Sequence, residues 1–210
     1  MRYIFSTLFA FLIGSIPFSY IVGKVTKHVD IRHYGSKNPG AGNVFHLVSV
    51  RAGIVALAGD LLKGVFALYI PYIIYNFSPP ILTLLGLAAV LGHVYSPFLQ
   101  FRGGKGAATT AGVFLFILFV AFDFKNSTYL LLVMVAIWIV LLLITHSQVV
   151  SLAIIFPIFA IAVYFASKDF IFFSTILLFI IVEELFGLNS IRREWKSSYD
   201  KYLKKLIRRS

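Results

Sequence analysis

The chain has 210 residues, of which 60% are apolar and 13% charged, with 19 Lys and Arg against 8 Asp and Glu and no cysteine. A soluble domain carries about 25% charged residues, so charge this sparse, with a mean hydropathy of +0.91, excludes a single soluble core and leaves an integral membrane protein. The missing cysteines exclude a disulfide framework, a Cys-ligated zinc site and a thiol nucleophile, and the net charge of +11 reads as basic residues gathered at a membrane face, not as a nucleic-acid surface.

A spanning helix needs about 20 mostly apolar residues. The runs predict an all-α, polytopic membrane protein with seven transmembrane helices, at about 3–25, 52–75, 79–101, 106–122, 128–145, 148–166 and 170–188. The first run is too long for the core of a cleaved signal peptide and reads as a span. Turns are expected at Phe77-Ser78-Pro79-Pro80, at Asp123-Phe124-Lys125-Asn126-Ser127 and at Ser167-Lys168-Asp169, with a weaker break at Thr145-His146-Ser147-Gln148. Continuous rather than alternating runs argue against a β-barrel. One transmembrane domain, 1–191, is expected, with motif loops 26–51 and 102–106, followed by a basic tail, 192–210.

Charge orients these spans. Of the 19 Lys and Arg residues, Arg2, Lys125 and Lys168 fall on one side and Lys63 lies within a span. All the others share the side that holds both motif loops and the tail. The positive-inside rule predicts an external N-terminus and a cytoplasmic C-terminus. Both polar loops are then cytoplasmic.

The first polar segment, Tyr34-Gly35-Ser36-Lys37-Asn38-Pro39-Gly40-Ala41-Gly42-Asn43, combines small residues with neutral hydrogen-bonding groups. Such residues let a backbone approach a ligand, and they also make plain turns. Next, Asp60 and Lys63 lie three residues apart in the second span, on one helix face, where they can pair. Charges within a span face a cavity or a partner. The third segment runs from Gly92-His93 through Tyr95-Ser96-Pro97 to Arg102-Gly103-Gly104-Lys105-Gly106 and Thr109-Thr110. Leu99 stands where a Walker A loop requires glycine. The alternative is a glycine-rich anion loop at the start of the fourth span, where a helix N-terminus adds partial positive charge. His93 has no second histidine at ligand spacing, so no metal site is expected. Glu183 and Glu184 are adjacent and point about 100° apart, which suits separate structural charges. The tail, with Trp195, Tyr199, Tyr202, Leu203 and Leu206 among its basic residues, reads as an interfacial helix on anionic membrane lipids. There is no HxxxxD acyltransferase motif and no nucleophile elbow.

These motifs, taken in order, resemble the PlsY-type acyl-phosphate:glycerol-3-phosphate acyltransferases of bacteria. The resemblance rests on Gly14-Ser15-Ile16-Pro17-Phe18, Asp30-Ile31-Arg32, Gly35 through Asn43, Asp60-Leu61-Leu62-Lys63-Gly64, Gly92-His93 with Ser96-Pro97-Phe98, and Phe101 through Gly106 with Ala108-Thr109. It implies a multi-pass protein of the bacterial inner membrane that moves an acyl group from acyl phosphate to the 1-hydroxyl of glycerol 3-phosphate, without metal or other cofactor. It implies Ser36 and Lys105 as catalytic residues. Gly35, Asn38, Gly40, Asn43, His46, Gly103, Gly104, Gly106 and Ser190 would bind substrate or phosphate, with Asp60, Lys63 and His93 in support. Membrane lipids are implied as surroundings, and the soluble enzyme that makes acyl phosphate is a candidate partner. Three positions depart from the family pattern: His46 stands for its usual arginine, Gly187 for histidine and Ser190 for asparagine. Two other readings follow. One is a catalytically impaired paralogue that binds a phosphate-containing lipid or regulates a partner. The other, ranked lower, is a small-anion transporter.

Overall fold

The computed structural model describes residues 1–145 and 148–182. Every described element is helical. Residues Met1–Leu131 form one compact unit, and the chain from Leu132 belongs to a second. In the first unit, α1 (Arg2–Ser15) and α2 (Phe18–Lys27) follow one another, and α3 (Ala41–Leu47) is short. α4 (Val50–Tyr75), α5 (Pro79–Val94), a 3-10 turn at Pro97–Leu99 and α6 (Ala107–Ala121) come next. α7 (Phe124–Thr145) begins in the first unit and ends in the second, which also contains α8 (Gln148–Ser167) and α9 (Phe170–Val182).

Four segments are long and apolar enough to cross a membrane: Arg2–Lys27, Val50–Tyr75, Pro79–Leu99 and Phe124–Leu141. Ala107–Ala121, Ile154–Ser167 and Phe170–Val182 are shorter apolar helices. The first predicted span is interrupted. Pro17 has no N–H to continue the ladder of α1, and the chain is non-helical at Ile16 and Pro17 before α2 begins. The third predicted span closes as a helix at Val94, and Ser96 and Pro97 open the 3-10 turn. The fifth begins earlier than expected, because Asp123 caps it: the Asn126 N–H donates to Asp123 Oδ2 at 3.3 Å. The expected turn at 123–127 is therefore mostly helix. At the start of α9, Asp169 Oδ1 accepts from the Phe172 N–H at 2.9 Å. The break expected at His146-Ser147 and the end of the seventh run lie outside the described residues.

α1 and α4 bury mostly small residues and turn large apolar ones outward. α1 buries Ser6, Ala10, Gly14 and Ser15, whereas Ile4, Phe5, Leu8 and Leu12 are exposed. α4 buries Ala52, Ala56, Asp60, Lys63, Gly64, Ala67 and Pro71 along one stripe. Ile54, Val55, Leu62, Phe66 and Ile73 are exposed on its other side. Lipid is as apolar as leucine, so helices in it associate by close backbone packing at small residues. Gly14 lies against the Ala89 backbone where α1 meets α5, and Gly112 lies against the Leu61 carbonyl where α6 meets α4. In the second unit, Ile155, Phe159 and Val163 of α8 and Phe172, Ile176 and Phe179 of α9 form buried stripes. The rings of Tyr164 and Phe173 meet at 5.4 Å.

The contacts also fix direction within the first unit. Tyr3 stacks on Phe77 at 5.4 Å, while Ser96 bonds to Ser15, so α1 and α5 run parallel. The Lys27 ammonium donates to the Leu47 carbonyl at 3.0 Å, bringing the end of α2 to the approach to α4. Segment 26–51 and segment 95–106 therefore share one end of the unit.

A methyl group tests the close packing. Gly112→Ala drives a Cβ into the Leu61 carbonyl, and a loss of about 1–3 kcal/mol is expected in unfolding experiments in detergent. Gly42→Ala meets open space in α3 and is expected to cost nothing. Equal midpoints for both variants would refute this account of the α4–α6 contact.

Candidate active site

The break at Ile16–Pro17 releases carbonyls that a continuous helix would satisfy, and in a lipid-embedded segment these need internal partners. Two side chains supply them. Ser96 Oγ donates to the Ser15 carbonyl at 2.6 Å. The Lys63 ammonium donates to the Ile16 carbonyl at 2.7 Å. Lys63 also lies 2.8 Å from Asp60 Oδ1, so the expected pairing on one face of α4 is present. Both side chains are almost fully buried.

Asp60 extends the cluster. Ser19 Oγ, from the first turn of α2, donates to Asp60 Oδ2. Thr109 Oγ1, from the first turn of α6, donates to the Asp60 carbonyl at 3.0 Å and lies 3.2 Å from His93 Nδ1. His93 Nδ1 is 3.7 Å from Asp60 Oδ1. One buried polar cluster thus joins α1, α2, α4, α5 and α6.

The glycine–lysine loop rests on this cluster. A side chain at Gly103 would strike the His93 carbonyl, and one at Gly104 would strike His93 Nε2. The Gly103 N–H is already committed, donating to the Val94 carbonyl at 2.9 Å. Glycine at 103 thus serves close packing on α5, rather than offering its amide to an anion. Gly106, at φ +91°, turns the chain into α6, and its carbonyl accepts from the Thr110 N–H at 2.8 Å. Lys105 is half-buried between the two glycines, at the start of the helix as the sequence predicts.

Segment 26–51 contains more order than its composition suggests. Asn43, 3% exposed, brackets the turn that carries Ser36. Its Oδ1 accepts from the Ser36 N–H at 3.0 Å, and its Nδ2 donates to the carbonyls of Ile31 at 2.8 Å and Tyr34 at 3.1 Å. The side chain is spent on the loop itself, a positioning role in place of the expected contact with phosphate. Gly35, at φ +60°, leaves no room for a Cβ beside Asn43 Oδ1. The Asn38 N–H approaches Ser36 Oγ at 3.4 Å, and Gly40 precedes α3 in extended form. Ser36 is exposed, and so is His46 on α3. Ile31, Ala41, Val44 and Val48 pack with Ala52 and Ala56 of α4 in one apolar core. Arg32 anchors the segment to α2: it pairs with Asp30 at 2.7 Å and lies 5.0 Å from the centre of the Tyr20 ring. Its guanidinium holds the Asp30 carboxyl down at about 2, below the usual 3.8.

α4 therefore carries both halves of the candidate site. Ala52 and Ala56 seat the Ser36 segment, and Asp60 and Lys63, one to two turns further on, support the His93–Lys105 segment. Sequence reasoning missed Ser15, Ser19 and Ser96 as cluster members, and missed α3. The signals were a proline within a span, which demands donors nearby, and the apolar spacing Val44, Leu47, Val48. Ser190 and Gly187 lie outside the described residues, as do Glu183, Glu184 and the basic tail. Among the described residues no group of His, Asp and Glu is arranged to hold a metal ion.

The apolar helices with small-residue interfaces and a buried ion cluster beneath a glycine–lysine turn define a polytopic helical membrane protein. The chain belongs to the glycerol-3-phosphate acyltransferase family, which matches it over residues 4–192. It is 50% identical over 109 residues to the Bacillus subtilis (strain 168) glycerol-3-phosphate acyltransferase, covering 52% of this chain and 55% of that one. Matches of this kind span about half the length of the relatives concerned. A longer match is to glycerol-3-phosphate acyltransferase 2 of Lactobacillus johnsonii (strain CNCM I-12250 / La1 / NCC 533), 39% identical over 157 residues, or 74% of this chain and 70% of that one. Among solved structures, the fold is similar to PlsY (YgiH), an integral membrane glycerol 3-phosphate acyltransferase. The TM-score is 0.75 to its glycerol 3-phosphate form, at 27% identity over 94% of both chains. It is 0.76 to its lysophosphatidic acid form, at 26% identity over 94% of this chain and 93% of that one.

Two substitutions test the two supports. Lys63→Met strips a buried carboxylate of its ionic partner and leaves the Ile16 carbonyl with the Phe18 N–H alone, and is expected to cost about 3–5 kcal/mol. Adding Asp60→Asn should recover part of that loss in the same unfolding assay; no recovery would mean the pair is not coupled. Asn43→Asp replaces two donors with an acceptor facing two carbonyls, each buried mismatch costing about 1–3 kcal/mol. Faster protease cleavage within 31–38, with the helices still folded, is the expected readout; unchanged cleavage would remove Asn43 from its bracket role.

Proposed function

We propose that this protein transfers an acyl group from acyl phosphate to the 1-hydroxyl of glycerol 3-phosphate, giving lysophosphatidic acid and inorganic phosphate, at the cytoplasmic face of a bacterial inner membrane. The observation that carries this reading is the match to the acyltransferase family along residues 4–192, joined to a fold shared with an enzyme captured in glycerol 3-phosphate and lysophosphatidic acid forms. The surplus of Lys and Arg beside both loops supports a cytoplasmic site and an external N-terminus.

The chemistry needs little from the protein beyond placement and charge. The 1-hydroxyl oxygen attacks the acyl carbonyl carbon, and a carbon–oxygen ester bond forms. The bond from that carbon to the phosphate oxygen breaks, and phosphate leaves with the electron pair. The hydroxyl proton passes to a phosphate oxygen. Because the donor is already activated, no protein nucleophile is required, and holding both substrates in line supplies much of the rate. Lys105, at the start of α6, is placed to balance phosphate charge as the leaving group departs. Ser36 offers an exposed hydroxyl on a turn that Asn43 has already fixed. Asn38, Gly40, Gly104 and Gly106 shape the two loops, and exposed His46 takes the place where the family's arginine would clamp phosphate.

The test is lysophosphatidic acid formation by the purified protein in lipid nanodiscs, with acyl phosphate and labelled glycerol 3-phosphate. Lys105→Ala is expected to lower kcat/KM on the order of 100-fold, and Ser36→Ala to lower it as well. Restoring the usual residue with His46→Arg should raise activity. A folded protein that makes no product where an ordinary family member does would overturn the reading in favour of a binding paralogue.

A further inference from the structure

Thr109 and His93 carry an inference that rests on this functional reading. His93 is buried between the Asp60–Lys63 pair and the glycine–lysine loop. Which of its nitrogens holds the proton follows from three contacts. Nδ1 faces two oxygens, Thr109 Oγ1 at 3.2 Å and Asp60 Oδ1 at 3.7 Å. The one hydroxyl hydrogen of Thr109 is used on the Asp60 carbonyl at 3.0 Å, so its oxygen can only accept from Nδ1. A hydrogen on Nδ1 suits both oxygens, whereas a lone pair there would repel the carboxylate. On the opposite edge, Nε2 lies where a Cβ on Gly104 would be. A glycine α-hydrogen fills that direction. It suits a lone pair, as a weak contact of the kind backbone carbonyls receive, and an N–H there would force two hydrogens together. Charge balance agrees: Lys63 already matches the Asp60 carboxylate, so a protonated ring would leave an uncompensated buried charge.

We propose that Thr109 is a positioning residue for the acyl transfer: it fixes His93 in its Nδ1–H tautomer, so that the Nε2 lone pair faces Gly104 and holds the 103–106 loop in the form that presents Lys105 to a phosphate. The wild-type Thr109 side chain is fully buried and acts through His93 and the loop, not by touching substrate. A glycine at 104 is then required twice, once for space and once for the hydrogen that meets Nε2.

The experiment uses full-length protein with ¹⁵N-labelled histidine in lipid nanodiscs. The His93 signal, one of five histidines, is assigned by its loss in His93→Gln. The solid-state spectrum is expected to show protonated Nδ1 and bare Nε2. Thr109→Val should shift that signal and raise the KM for acyl phosphate about tenfold, with a smaller change in kcat, as expected for one lost hydrogen bond in a binding element. Thr109→Ser, which keeps the hydroxyl, should restore both. A protonated Nε2 in the wild type overturns the proposal, as does a Thr109→Val protein with unchanged spectrum and KM. If Thr109→Val does not fold, the wild-type and Thr109→Ser spectra still decide the tautomer. If the wild type makes no lysophosphatidic acid, the functional reading fails, and the spectrum decides the tautomer separately.

Discussion

The fold turns on one ammonium group. Lys63 donates to the carbonyl freed at the Ile16 break and balances Asp60 at the same time. Without the break, α1 and α2 would be one helix with no polar backbone to offer at that depth. Without Lys63, the Ile16 carbonyl would keep only the Phe18 N–H, at 3.1 Å, and Asp60 would lose its ionic partner. Each feature is costly alone, and together they lock α1, α2 and α4 at a single point. Ser19, Thr109 and His93 extend that point to α5 and α6. Structure and site share their foundation: the residues that satisfy a broken helix also underlie the loop that carries Lys105.

Much of this was legible in the sequence. Long apolar runs gave the helices because lipid leaves an isolated segment no other way to satisfy its backbone. The i, i+3 spacing gave the Asp60–Lys63 pair. What failed was partner choice across distance. Ser96 meets a carbonyl 81 positions away and Lys63 one 47 positions away, and no local period records such pairs. α3 was missed because it is only 7 residues long and sits among glycines and asparagines that read as loop. The sequence alone points to Asn43 as a ligand contact, because an exposed and a buried asparagine look alike in it. Only the positions of Ile31, Tyr34 and Ser36 around it reveal that its amide is fully employed.

Two of the ways in which glycines are crowded bear on the site differently. Gly14, Gly64, Gly92 and Gly112 meet the backbone of a neighbouring helix, whereas Gly104 meets an imidazole. The first kind sets how closely the helices approach. The second ties one loop to the state of one side chain. The same residue type, a few positions apart, thus serves packing in one place and the candidate site in another.

The Asn43 bracket has an energetic consequence. Because three hydrogen bonds from a buried amide hold the Ser36 turn, and the Arg32–Asp30 pair pins its near end, that turn has lost its conformational freedom during folding, before any ligand arrives. Any ligand that docks there would meet a surface already shaped. On the function proposed above, the binding energy gained at this turn goes into contact with the ligand and not into ordering the chain.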